Sequence, residues 1–170
     1  MLIGTPGELW ARGYFTMLGY FDMPEKSAET LHADGWLRTG DLATMDERGY
    51  CRIVGRLKDM IIRGGENLYP AEIEEVLYRH PAVAEVAVVG LPDERWGEVV
   101  GAFIRPRDPD APPTVVELRS HVRAHLSPQK TPARWYAVDS YPLAGPGKIR
   151  KFAIREAWER GEHAGHELGA

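Results

Sequence analysis

Apolar positions along the chain follow two different periods, and the change from one to the other falls about a third of the way in. In the first sixty residues the alternation is that of strands. Glu8 to Arg12 and Tyr50 to Val54 alternate apolar and polar side chains, and the run DERG at Asp46 to Gly49 predicts a hairpin turn joining Leu42–Met45 to the second of them. Pro24 to Leu31 predicts a short helix, because proline suits a first helical turn, and Asp34-Gly35 predicts another turn. Beyond Gly55-Arg56 the pattern changes. DMIIR reads as a short strand stopped by Gly64-Gly65, and Pro70 to His80 sets Ile73, Val76 and Leu77 on one helical face. Val83 to Gly90 and Glu98 to Arg105 are β-branched runs expected to pair across a polar loop that contains Trp96. Thr114 and Glu117 form a capping box for a helix reaching about Leu126, with Leu118, Val122 and Leu126 on its buried face. Trp135 to Asp139 predicts a last strand and Lys151 to Arg160 a last helix, while the tail GEHAGHELGA is expected to fray. The expected fold class is α+β, with a mostly antiparallel β-rich first part and a compact mixed α/β domain from about Lys58 onwards.

Composition narrows the functional classes. A chain of 170 residues suits one domain, or a small domain with part of a neighbour. With 44% apolar and 27% charged residues it can bury a core. A net charge of -4 argues against nucleic-acid binding, which needs a basic excess or a basic face. The single cysteine, Cys51, has no partner for an intrachain disulfide, so a reducing compartment is expected, the cytoplasm by default. The start of the sequence, MLIGTPGELW, lacks the basic and apolar regions of a secretory signal. No apolar run reaches the roughly 18 residues that a membrane span requires.

Three segments combine glycine with charge. In DGWLRTGDLA, Asp41 follows a glycine and is able to accept hydrogen bonds from paired sugar hydroxyls, or simply to cap its own turn. In GRLKDMIIRGGENLYPAEIE, Arg56 offers a forked cation for hydroxyls or phosphate, or a surface ion pair. Gly64-Gly65 in the same segment permits close approach of a ligand, or is a plain turn. In PLAGPGKIRK, Lys148 sits between a strand and a helix, where it is either a solvated lysine or a preorganised cation for developing negative charge. The spacing does not match a P-loop.

In this order, RGYFTMLGYF, DGWLRTGDLA, GRLKDMIIRGGENLYPAEIE and PGKIRK resemble the AMP-forming acyl-activating superfamily of acyl-CoA synthetases, firefly luciferases and peptide-synthetase adenylation domains. The resemblance runs from about Gly4 to Glu156 and points to the C-terminal portion of an acyl-CoA ligase. It implies that residues 1–57 are the β-rich end of a large ATP- and acid-binding domain, and that 58–170 form the mobile C-terminal lid. In this superfamily a carboxylic acid attacks the α-phosphate of ATP, and the acyl-adenylate is then captured by a thiol, usually that of coenzyme A. The implied roles are ribose binding for Asp41, nucleotide support for Arg56 and adenylation catalysis for Lys148. Lys58 falls at the hinge about which the lid swings between half-reactions. Gly64 and Gly65 would form a flat wall for pantetheine, and Trp96 a stacking surface for the CoA adenine. Mg2+ is expected with ATP, and no metal ligands are expected in the chain itself.

Smaller signs favour acyl- or aryl-CoA ligases: GGENLYPAEIE and Trp96 fit them, and Ile62 stands where luciferase-like members often have lysine. Lys130 and Arg134 retain part of a basic patch that grips CoA phosphates in some relatives, interrupted by Thr131 and Ala133. The superfamily's phosphate loop, adenine segment and acyl pocket would precede Met1, so the chain alone is expected to be an inactive ligase fragment whose first partner is the missing N-terminal domain. Two alternatives remain: an aminoacyl-adenylating domain feeding a carrier protein, and a non-catalytic module that binds CoA or a partner.

Overall fold

The computed structural model describes residues 3–145, 147–162 and 165–168. The chain divides after Lys58 into two compact units, Met1–Lys58 and Asp59–Ala170.

The first unit contains β1 (Gly7–Ala11), α1 (Pro24–Thr30), β2 (Leu37–Met45) and β3 (Cys51–Arg56). The three strands form one antiparallel sheet in the order β1-β2-β3. Asp46 makes the β2–β3 turn: its Oδ1 accepts from the amides of Arg48 and Tyr50, both at 2.9 Å. β2 begins five residues before the predicted Leu42. The alternation is hidden there because Thr39, Gly40 and Asp41 stand opposite Leu9 alone, while Val54 on β3 has no partner between Ile53 and Gly55. Among the described residues of this unit only Leu42 and Ala43 are buried apolar side chains.

The second unit contains β4 (Ile61–Arg63), β5 (Glu66–Leu68), α2 (Pro70–Tyr78), β6 (Val83–Asp93), β7 (Gly97–Pro106), α3 (Val115–Arg123), β8 (Arg134–Ala137), β9 (Leu143–Ala144), β10 (Lys148–Ile149), α4 (Lys151–Glu159) and β11 (His166–Glu167). β6 and β7 pair antiparallel over their whole length, β8 lies parallel to β7, and the sheet runs β11-β8-β7-β4-β5 with β6 on β7. Side chains alternate between two cores. Val86, Val88, Val100, Ala102 and Ile104 face Ile73, Val76 and Leu77 of α2 and Leu118 and Val122 of α3. Ala87, Val89, Leu91 and Phe103 face Tyr136, Tyr141 and Ile154 of α4. A sheet covered on both faces needs strands apolar at every position, which is why β6 and β7 read as continuous runs.

The predicted capping box is present: Thr114 Oγ1 accepts from the Glu117 amide at 3.3 Å, and the Glu117 carboxylate accepts from the Thr114 amide at 2.9 Å. Two expectations need correction. α3 ends at Arg123 instead of Leu126, although the Leu126 amide still reaches Val122 O at 2.8 Å and its side chain packs on the core. The tail does not fray over 165–168: β11 pairs with β8, and the Leu168 amide donates to Trp135 O at 2.8 Å. Leu168 packs on the core, an anchor that a two-residue strand does not announce in sequence. Residues 163, 164, 169 and 170 of that tail lie outside the described residues.

Candidate functional site

The predicted residues fall at several separate places. In the first unit, Asp41 on β2 and Arg56 on β3 are direct cross-strand partners, joined by an ion pair from Arg56 Nε to Asp41 Oδ1 of 3.2 Å. Asp41 is not the self-capping turn residue that local chemistry suggested. It lies in a bulge whose backbone is pinned by Thr39, which donates to Leu9 O at 2.7 Å and accepts from the Asp41 amide at 3.1 Å. Both side chains keep solvent access, so the pair adds little stability and leaves acceptor and donor positions open. Glu8 braces the same bulge. Partial burial works to raise its carboxyl, but hydrogen bonds from Trp10 (2.9 Å) and Arg38 (3.1 Å), the Arg38 charge and the Gly40 amide outweigh it and hold the group below its usual value.

Lys58 occupies a short 3-10 turn, Leu57–Asp59, that ends the first unit.

In the second unit, Gly64 and Gly65 are the two central residues of the β4–β5 hairpin, flanked by the pair Arg63 and Glu66. Both have positive φ, +58° and +85°, as a tight primed turn requires. Gly64 carries a second constraint: a Cβ there would lie 2.8 Å from the Trp96 ring. The indole thus rests against the hairpin, and the Gly64 amide donates to Trp96 O at 2.8 Å. The guanidinium groups of Arg63 and Arg95 stand 4.6 and 4.9 Å from the ring centroid. Gly65 faces open space. Sequence reasoning chose the Gly64-Gly65 pair and Trp96 separately, and the structure brings Gly64 and Trp96 into contact.

Lys148 opens β10, which pairs with β9 in a two-strand hairpin instead of the bare loop that was expected. Pro146, inside that turn, lies outside the described residues. Lys148 lines a groove of about 700 Å³ together with Glu74, Tyr78, Glu85, Arg105, Tyr141 and Lys151. The other cations of the groove are engaged: Arg105 with Glu85 at 2.8 Å, and Lys151 with Glu74 at 2.6 Å. Lys148 is exposed and, among the described residues, has no ion-pair partner. Glu74 also accepts from the Val88 amide at 2.7 Å, which covers the open edge of β6. Tyr141 donates to Phe103 O at 2.8 Å, and burial pushes its ionisation well up, so the groove floor is a fixed neutral phenol.

The two residues read as a partial CoA-phosphate patch are both occupied. Lys130 Nζ donates to both oxygens of Glu72 at 2.7 Å, and Arg134 pairs with Glu167 at 3.2 Å. Sequence reasoning missed the bracing residues Glu8 and Glu74, since isolated glutamates between apolar positions give no periodic signal.

Residues 72–148 match the family of AMP-binding enzyme C-terminal domains, and the proteins similar to the chain include acyl-CoA ligases and other adenylate-forming enzymes. It is 51% identical over 158 residues to the human medium-chain acyl-CoA ligase ACSF2, mitochondrial, covering 93% of this chain and 26% of the relative. Among solved structures, o-succinylbenzoate CoA synthetase (MenE) from Bacillus subtilis, in complex with its acyl-adenylate intermediate OSB-AMP, matches with a TM-score of 0.86 and 33% identity over 98% of this chain and 32% of that one. The amide bond synthetase McbA from Marinactinospora thermotolerans matches with a TM-score of 0.83 and 41% identity over 93% of this chain and 32% of that one. The chain therefore spans about a quarter of the length of the curated relatives it matches.

Proposed function

We propose that this chain is the C-terminal portion of an AMP-forming acyl-CoA ligase, in which a carboxylic acid is adenylated with ATP and the acyl group is passed to coenzyme A. The observation that carries the reading is the free Lys148 amine, displayed on a groove in which every other lysine and arginine is paired. In adenylation this cation stabilises the charge that builds on the α-phosphate and the attacking carboxylate, an effect of position and electrostatics alone. Asp41 receives the ribose hydroxyls of the same ATP, and Arg56 orients Asp41 and supports the nucleotide. Lys58 is the hinge: a few torsions in its short turn exchange Lys148 for the Gly64–Gly65 hairpin at the adenylate. The flat glycine tip then borders the pantetheine path, and Trp96 with Arg63 offers a surface for the adenine end of CoA.

Residues 1–57 are assigned to the end of the ATP- and acid-binding body, and residues 58–170 to the lid. Mg2+ would accompany ATP and neutralise phosphate charge in the complete enzyme. Among the described residues no group of three or more His, Cys, Asp or Glu could hold a metal ion. Among the described residues no helix is long and apolar enough to cross a membrane. A single exposed thiol, Cys51, fits a reducing cytoplasmic compartment.

The occupied state of Lys130 and Arg134 favours weighing a second acceptor, a carrier-protein phosphopantetheine arm, which lacks the 3′-phosphate that such residues would grip. Thioester formation measured with CoA and with a loaded carrier protein separates the two.

The test of the main reading is reconstitution. The chain alone should release no pyrophosphate from ATP and acid, because catalysis needs the reactants held together. Combined with the N-terminal body of a related ligase, it should raise acid-dependent release above that of the body alone. No increase would overturn the proposal and favour a stand-alone binding module.

A further inference from the structure

The β4–β5 hairpin is held to the rest of its unit by very few backbone contacts. β4 joins β7 through the single pair Arg63 and Gly97. At the next position a regular ladder would set Ile62 against Glu98, but the strands splay, and the Ile62 amide donates to the Glu98 side chain, at 2.8 Å from Oε2. The other oxygen of the same carboxylate, Oε1, accepts from Arg155 Nη1 of α4 at 2.6 Å. The side chain of Glu98 is itself largely shielded, at 19% exposure, although its partners Ile62 and Arg155 keep solvent access, and the ionised acceptor makes both contacts charge-assisted. The backbone has made room for it: a Cβ on Gly90, across the β6–β7 ladder, would lie 2.9 Å from Glu98 Oε2. A carboxylate thus replaces a missing ladder bond and ties the hairpin to the last helix.

We infer that Glu98 is a positioning residue for the thiol-capture half-reaction, setting the Gly64–Gly65 hairpin through the Ile62 amide, with Arg155 fixing the carboxylate. This rests on the ligase reading for its consequence, but not for its geometry. Lys148 is on a different hairpin, so the effect of Glu98 should be confined to one half-reaction. An ordinary stabilising ion pair would affect both.

Two measurements decide it. In the chain itself, Glu98→Ala should speed hydrogen exchange at Ile62 by about tenfold or more relative to the unchanged amides of α3, and Glu98→Gln, which keeps an acceptor for Ile62, should recover most of that protection. Unaltered exchange at Ile62 overturns the inference whether or not the chain serves a ligase. In the complete ligase, Glu98→Ala should lower kcat for thioester formation from supplied acyl-adenylate by about tenfold while leaving acid-dependent pyrophosphate release near the parent rate, with Glu98→Gln between the two. Equal loss in both half-reactions, or none in thioester formation, overturns it. A parent enzyme that forms no thioester at all would instead refute the ligase reading, and the exchange result would still stand.

Discussion

The two units of this chain meet the demand for a hydrophobic core in opposite ways. The second unit buries Ile61, Ile73, Leu77, Val88, Leu118 and Val122 almost completely, on a sheet covered on both faces. Each such side chain contributes about 1.5–3 kcal/mol on burial, so the unit has a self-sufficient core. In the first unit only Leu42 and Ala43 are buried among the described residues, while Tyr14 is 102%, Leu18 104% and Phe21 95% exposed. A three-stranded sheet with so little covered surface is marginal on its own. On the proposed reading, the ATP-binding body covers the exposed apolar side chains of RGYFTMLGYF. The proposed nucleotide residues Asp41 and Arg56 therefore sit on the weaker unit, while the proposed catalytic amine sits on the stronger.

The largest expected effect tests the chemistry of that division. Lys148→Ala in the complete ligase should reduce adenylation by about 10²–10³-fold, the scale of losing one preorganised charge-stabilising group, while sparing thioester formation from supplied adenylate. Equal loss in both steps would contradict the role given to Lys148. Next comes packing. Leu77→Ala should destabilise the second unit by about 2–5 kcal/mol. Phe21→Ala should change the first unit of the isolated chain by no more than about 0.5 kcal/mol, because nothing covers that ring. Urea titrations followed by residue-resolved exchange measure both, and similar losses would erase the contrast. A smaller effect belongs to the capping box: Thr114→Ala should cost about 1 kcal/mol in the same titration, and Thr114→Ser should restore most of it.

The smallest expected effect is in pH dependence. Burial, then the neighbouring His121, lower the His80 imidazole from its ordinary value of 6.5, with Glu117 opposing. The folded state favours the neutral ring, so this contribution is complete above about 6.5 and is lost as pH falls through the lowered folded value. The depressed Glu8 carboxyl of the first unit keeps its contribution above its usual value of 4.5 and loses it only at lower pH. Melting temperatures followed separately for each unit should therefore begin to fall at a higher pH in the second, and His80→Gln should flatten that early slope. An unchanged slope in the variant would remove His80 as its cause.

Much of the second unit was legible in the sequence, because its signals are local. Thr114 and Glu117 announce a cap, Ile73, Val76 and Leu77 a helix face, and the β-branched runs of β6 and β7 a buried hairpin. The parallel contact of β8 with β7 was not legible, since pairing across some thirty residues leaves no periodic trace, and neither was β11, held by two residues and Leu168. In the first unit, β2 was read short because the bulge at Thr39–Asp41 breaks its alternation. That same bulge displays Asp41, so the pattern failed where the candidate chemistry lies. The identities of Asp41, Arg56, Gly64, Gly65, Trp96 and Lys148 were available from motif resemblance. Their supports were not: Glu8, Glu74 and Glu98 become meaningful only when a bulge, an open strand edge or a splayed ladder is seen beside them.

The most direct measurement is hydrogen exchange on the chain with and without an N-terminal ligase body. Alone, the amides of β1 to β3 should exchange far faster than those of β6 and β7, and adding the body should slow the first unit while leaving the second almost unchanged. A first unit already as protected as the second, or one indifferent to the body, would contradict the account.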